Sequence, residues 1–189
     1  MNRYDDWLRT DAHGIVAEQL TVARIHIPAA QVVAADTNGI LDGTAFPAAA
    51  GIVSDFLAQP PWPLNITMVC SGTQTGKAVV HGLDINDQPI SEDFELTSAT
   101  PKVGAKAFKK VLWIELPQKV ASETVDVGWG KKYGLPYRIP NAGYLLIKQM
   151  NGVDDTGTLA VDKDDLSKNT YTPNGNGNGE KALDLYILL

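Results

Sequence analysis

The 189-residue sequence predicts an all-β fold, an antiparallel β-sandwich of jelly-roll-like character with an extended N-terminal arm. Three observations predict it. Apolar residues recur with period two in most segments after residue 63, the spacing of a strand with one buried face. Turn residues separate those segments at short, nearly regular intervals. No stretch of about twelve residues carries the 3.6-residue apolar period of an amphipathic helix.

Taken in order, residues 1–20 place Tyr4, Trp7, Leu8, Ile15 and Val16 among charges and read as an arm or a short helical turn. Leu20–Ile27 reads as a strand, ended by Pro28, which has no N–H to give to a ladder. Residues 36–63 are small and rich in Gly and Pro. They read as a long surface connection with a short helix over Ala48–Leu57. The expected division is therefore 1–63, an arm, a strand and a long loop, followed by 64–189, the β-sandwich domain.

Within the second part the strands are Leu64–Cys70, Gly76–Ile85, Ile90–Leu96, Ala107–Leu116, Glu123–Trp129, Gly143–Met150, Thr158–Val161 and Leu183–Leu189. Val79, His81, Leu83 and Ile85 share one face of the second of these. Asn86–Pro89 makes the following turn. Gly143–Met150 differs from the rest, being almost continuously apolar. The run PNGNGNG, residues 173–179, reads as an exposed flexible turn before the last strand.

A net charge of −6 argues against a nucleic-acid backbone and against an anionic membrane surface as partner. Lysines crowd between Lys102 and Lys132, whereas acids dominate both ends. That asymmetry suits either self-assembly between copies or a solvated surface. The single cysteine, Cys70, lies in an apolar run and reads as a small buried hydrophobe, so no disulfide forms within one chain. The N-terminal residues lack an apolar signal core and no run is long enough to span a bilayer, so synthesis in a cytosol-like compartment is expected. Asn65-Ile66-Thr67 matches a glycosylation acceptor, a match without weight in the absence of a secretion signal.

The search for chemistry leaves little. Gly72-Thr-Gln-Thr-Gly76-Lys77-Ala78 has three residues between its glycines and Ala78 after the lysine. A phosphate loop needs four, and a Ser or Thr for magnesium. His13, His26 and His81 form no metal-ligand pair at short spacing. Asp162-Lys163-Asp164-Asp165 lacks the glycine and the bidentate glutamate of a calcium loop. Glu92, Asp93 and Glu95 are explained by a half-buried strand as well as by acid–base work. Neither a GxSxG elbow nor a Cys–His neighbourhood is present. No catalytic residue, cofactor or metal site is assigned, and an enzyme is not expected.

The stretch Leu64–Tyr137 carries an ordered set of short elements: an N-I-T strand, T-G, a strand ending G-L-D-I-N, and an I-S-E strand. V-G-x-K-A-F-K, a W-I-E-L-P strand, T-V-D-V-G and K-Y-G-L-P-Y follow. With the closing LDLYILL, this order resembles the capsid decoration, or cement, proteins of tailed bacteriophages. The resemblance implies a virion structural protein that binds the outer capsid surface and bridges neighbouring capsomers. It implies the major capsid protein as partner, a homo-oligomer (a trimer rather than a dimer), and a place on the capsid exterior after synthesis in the host cytoplasm. Tyr4, Trp7, Leu8, Trp62, Leu135 and Tyr137 are the expected assembly contacts, because aromatic anchors are favoured at interfaces. The alternatives are another virion part (head-fibre base, neck or tail) and a carbohydrate- or receptor-binding β-module.

Overall fold

The structure, a computed structural model, describes residues 21–96 and 100–189. These residues form three antiparallel sheets, joined by loops and single turns of 3-10 helix. The terminal sheet has the order β1 (Val22–Ile27), β14 (Leu183–Leu188), β10 (Leu145–Met150), β11 (Val153–Asp154). The central sheet runs β12 (Thr158–Ala160), β13 (Thr170–Thr172), β9 (Thr124–Gly134), β4 (Leu64–Cys70), β7 (Lys102–Phe108), with β2 (Asp36–Ala45) also paired to β9. The flanking sheet runs β3 (Gly51–Val53), β8 (Lys110–Leu116), β5 (Lys77–Leu83), β6 (Pro89–Glu95). No helix among the described residues is long and apolar enough to cross a membrane.

The central sheet serves two hydrophobic cores. Toward the flanking sheet, Ile66, Met68 and Cys70 of β4 and Val125 and Val127 of β9 meet Ala78, Val80, Phe94, Ile114 and Leu116. Toward the terminal sheet, Leu64 and Tyr133 from the other ends of those strands meet Tyr171, Ile25, Ile27, Leu183, Leu185 and Ile187. Trp129 packs against both. Each buried Leu or Ile contributes about 1.5–3 kcal/mol by leaving water.

Between the two cores, β4 and β9 lose register, from Leu64↔Tyr133 to Ile66↔Trp129. The β4–β7 ladder also shifts, between Asn65 and Thr67. Asn65, wholly buried, fills this double irregularity. Its Oδ1 accepts the Lys132 amide at 3.0 Å and its Nδ2 donates to the Gly104 carbonyl at 3.3 Å. The glycosylation pattern at Asn65 is therefore out of reach of solvent. On the far side of β7, the Glu92 carboxylate of β6 accepts the Ala105 amide at 2.6 Å, tying the flanking sheet to the central one.

Several expectations are corrected. Residues 36–63 are not an irregular connection with a helix over Ala48–Leu57: β2 and β3 lie there, pairing with β9 and β8. Strands from residues 21–63 enter all three sheets. The single strand expected over Ala107–Leu116 is two, β7 and β8, separated at Lys109, whose amide donates to the Leu83 carbonyl. In β5 the face with Val79, His81 and Leu83 is the outer one, and Ala78, Val80 and Gly82 point inward. Gly82 is a glycine for want of space: a Cβ there would lie 2.1 Å from the Lys110 carbonyl oxygen. The glycine-rich run is not freely exposed throughout, since Gly177 packs on the Val32 and Val33 carbonyls and the Gly179 amide donates to Val32.

Candidate functional site

Among the described residues, a large open cleft of about 940 Å³ is walled by the β5–β6 turn, residues 136–138 and the loop 162–168. The turn is shaped by Asp84, whose Oδ1 accepts the amides of Asn86 and Gln88 at 2.8 and 2.9 Å. The loop is shaped by Asp162, whose Oδ1 accepts the amides of Asp164 and Asp165 at 2.9 and 3.0 Å. Those two bonds hold the Asp162 carboxyl below its ordinary range. Burial works to raise Asp165. The bonds from Ser167 and the charge of Lys106, 3.4 Å away, outweigh it and keep this carboxyl low as well.

Beneath the loop, wholly buried Asn169 takes the amides of Ile139 and Asp162 on Oδ1. It gives Nδ2 to the carbonyls of Asp162 and Asp165. Asp162 and Asp165 are thus held in the carboxylate form and engaged in holding their own loop. Such groups attract cations and hydrogen-bond donors but are not poised as general acids, which need a raised pKa. Among the described residues no three His, Cys, Asp or Glu side chains group so as to hold a metal ion. Within the run Asp162–Asp165, once compared with a calcium loop, the Asp162 carboxylate is turned onto the loop's own amides and Asp164 pairs with Lys163.

The other surfaces with chemistry to offer are two outer sheet faces. On the flanking sheet, His81 stacks on Trp113, ring centroids 4.7 Å apart and 13° from parallel. His81 Nε2 lies 3.0 Å from a Glu115 oxygen without hydrogen-bond alignment. On the terminal sheet the outer face is divided. At one end Asp184 receives Arg24 and His26, both at 2.9 Å. At the other end Val22 stands opposite Leu188, and Tyr186 opposite both Arg24 and Ile147. A bulge between Leu145 and Ile147 turns Leu146 outward too. Val22, Leu146 and Ile147 are 56%, 50% and 44% exposed, which makes this the apolar part of the sheet surface.

The three expected contacts that lie among the described residues, Trp62, Leu135 and Tyr137, do not form one site. Tyr4, Trp7 and Leu8 lie outside the described residues. Trp62 is half-buried, its indole N–H donating to the Gly134 carbonyl at 3.0 Å. Leu135 is a correction: it is wholly buried in the terminal core, so its side chain is not a surface contact. Tyr137, 37% exposed, lines the acidic cleft, whereas Trp62 lines a separate small hollow with Pro60, Pro61 and Lys109. The exposed apolar group of the terminal sheet was not singled out from the sequence. Its signal was the apolar run Gly143–Met150, which lacks the alternation of a strand with only one apolar face. No protein-family model, no curated protein and no solved structure matches the chain.

Proposed function

We propose that the chain is a phage virion structural protein of the decoration or cement kind, binding the outer capsid surface and stabilising the shell by bridging neighbouring capsomers. The finer fold reading belongs with it: the three sheets are read as a β-sandwich of jelly-roll-like character with residues 1–20 as an arm. The observation that carries the reading is the exposed apolar group of Val22, Leu146 and Ile147, set on a sheet that residue Thr21 joins directly to residues 1–20. A rigid β scaffold with an apolar contact face and an adjoining arm suits attachment to a repeating lattice, where many weak contacts add by avidity. The partner in this reading is the major capsid protein, with further copies of the chain itself.

The test is co-sedimentation of the purified chain with expanded empty capsids of the phage that encodes it. Saturable pelleting, weakened by Trp7→Ala or Ile147→Asp while the fold is kept, supports the reading. A folded chain that stays in the supernatant at every ratio overturns it.

A further inference from the structure

We infer that the free edge of β1 is a self-association surface, pairing antiparallel with β1 of a second copy across a two-fold axis. The argument begins with the hydrogen-bond phase of the strand. Thr21 and Leu189 exchange both backbone bonds, N to O at 3.0 and 2.8 Å. In an antiparallel ladder such pairs alternate with pairs whose N–H and C=O point away. With the register Val22↔Leu188 through Ile27↔Leu183, the odd residues Ala23, Ile25 and Ile27 bond to β14. The N–H and C=O of Val22, Arg24 and His26 point outward. Among the described residues none of those groups has a partner.

An exposed edge strand is a template for another strand, and proteins blunt such edges by shortness, bulges, proline or charge. The other edges are all blunted. β11 has two residues, and β3 and β12 three each. β2 shifts register twice along β9. β7 is bulged and its Ala105 amide is taken by Glu92. β6 opens with Pro89 and carries Glu92, Asp93 and Glu95.

β1 alone among these has none of the devices: six residues, VARIHI, in unbroken register. Its Arg24 and His26 do not guard it, because both are drawn sideways onto Asp184. A second copy fits better than an unrelated strand for two reasons. The outward groups, three donors and three acceptors in alternation, are self-complementary in an antiparallel pair. The exposed Val22 also places apolar surface at the seam. Joining the two edges makes one continuous sheet of eight strands. This gives a two-fold dimer in place of the trimer expected from sequence. It deepens the self-association part of the proposed function and is separable from capsid attachment, which the pelleting assay reads on its own.

The experiment is sedimentation of the full chain combined with residue-resolved amide exchange. The expected result is a species of twice 20.3 kDa, in which the amides of Val22, Arg24 and His26 exchange as slowly as those of Ala23 and Ile25. Val22→Pro removes only an outward N–H, and Val22→Lys places charge at the seam. Each should weaken the dimer by about tenfold or more with an unchanged circular dichroism spectrum. Using two variants guards against Val22→Pro failing to fold. A monomer at micromolar concentration overturns the inference, as does a dimer that both variants leave intact. Slow exchange at all six residues in a monomeric chain also overturns it, since the edge is then occupied from within.

Discussion

The two cores share β4 and β9 yet are held in different ways. The core between central and flanking sheets is almost wholly aliphatic and aromatic hydrocarbon, from Ile66 and Met68 to Ile114 and Phe94. The core between central and terminal sheets contains two buried tyrosines. The Tyr133 hydroxyl donates to the Val33 carbonyl at 2.8 Å, and the Tyr171 hydroxyl donates to Asp155. Buried Asn169, Ser167 and Thr170 lie beside it. The first core is specified by alternation and volume. The second is specified also by polar groups: removing Tyr133, Tyr171, Asn169 or Ser167 leaves a hydrogen-bond partner stranded. That difference orders the expected effects of substitution.

The largest effect should come from Leu185→Asp. An unpaired carboxylate in the terminal core costs more than the few kcal/mol by which a domain is stable, so circular dichroism should show no folded population. A folded Leu185→Asp chain would mean that the terminal sheet is an appendage. Next, Asn169→Ala strands the amides of Ile139 and Asp162 together with two carbonyls, a loss of about 2–4 kcal/mol in urea unfolding. Met68→Leu in the hydrocarbon core, by contrast, should cost less than about 1.5 kcal/mol, because volume is kept. If the two substitutions cost the same, the distinction between the cores fails.

A smaller effect comes from the tyrosines. Burial pushes the Tyr133 phenol up from 10.0 to about 12. The folded chain then holds this proton while the unfolded chain releases it, so stability should fall as pH rises from 10 toward 12. Tyr133→Phe should flatten that slope and lower stability at neutral pH by about 1 kcal/mol. Absorbance titration of tyrosinate beside chemical denaturation reads both. The smallest effect is at the surface. Burial works to raise Asp184, but the bonds from His26 and Arg24 prevail and hold it below 3.8. Its stabilisation is present above the unfolded value and lost as pH falls through the lower folded one. Asp184→Asn should therefore matter by less than about 1 kcal/mol at neutral pH and not at all in strong acid.

The fold was legible where alternation coincided with one buried face. Leu183, Leu185 and Ile187 are that case, and β14 lies where the pattern placed it. In β5 the pattern put Val79, His81 and Leu83 on one face but did not say on which side of the sheet, because Ala78 and Gly82 on the inner face are small. Large residues then gathered on the outer face, where His81 and Trp113 stack. β2 and β3 were hidden because DTNGILDGTA and GIV show no period. Their pairing is imposed by β9 and β8, not by local preference. Of the surface, the sequence marked aromatic residues and two leucines, Leu8 and Leu135. Trp62 and Leu135 turned out to serve packing, while the exposed apolar group came from Val22, Leu146 and Ile147. Exposure depends on what lies across the sheet, and no single segment contains that information.

Amide exchange on the full chain, alone and with expanded empty capsids, puts the outer-surface account to its hardest trial. The account predicts new protection around Leu146 and Ile147 of the terminal sheet, with both cores unchanged. New protection confined to the acidic cleft around Tyr137, Arg138 and residues 162–168, with the terminal sheet unaffected, would contradict it.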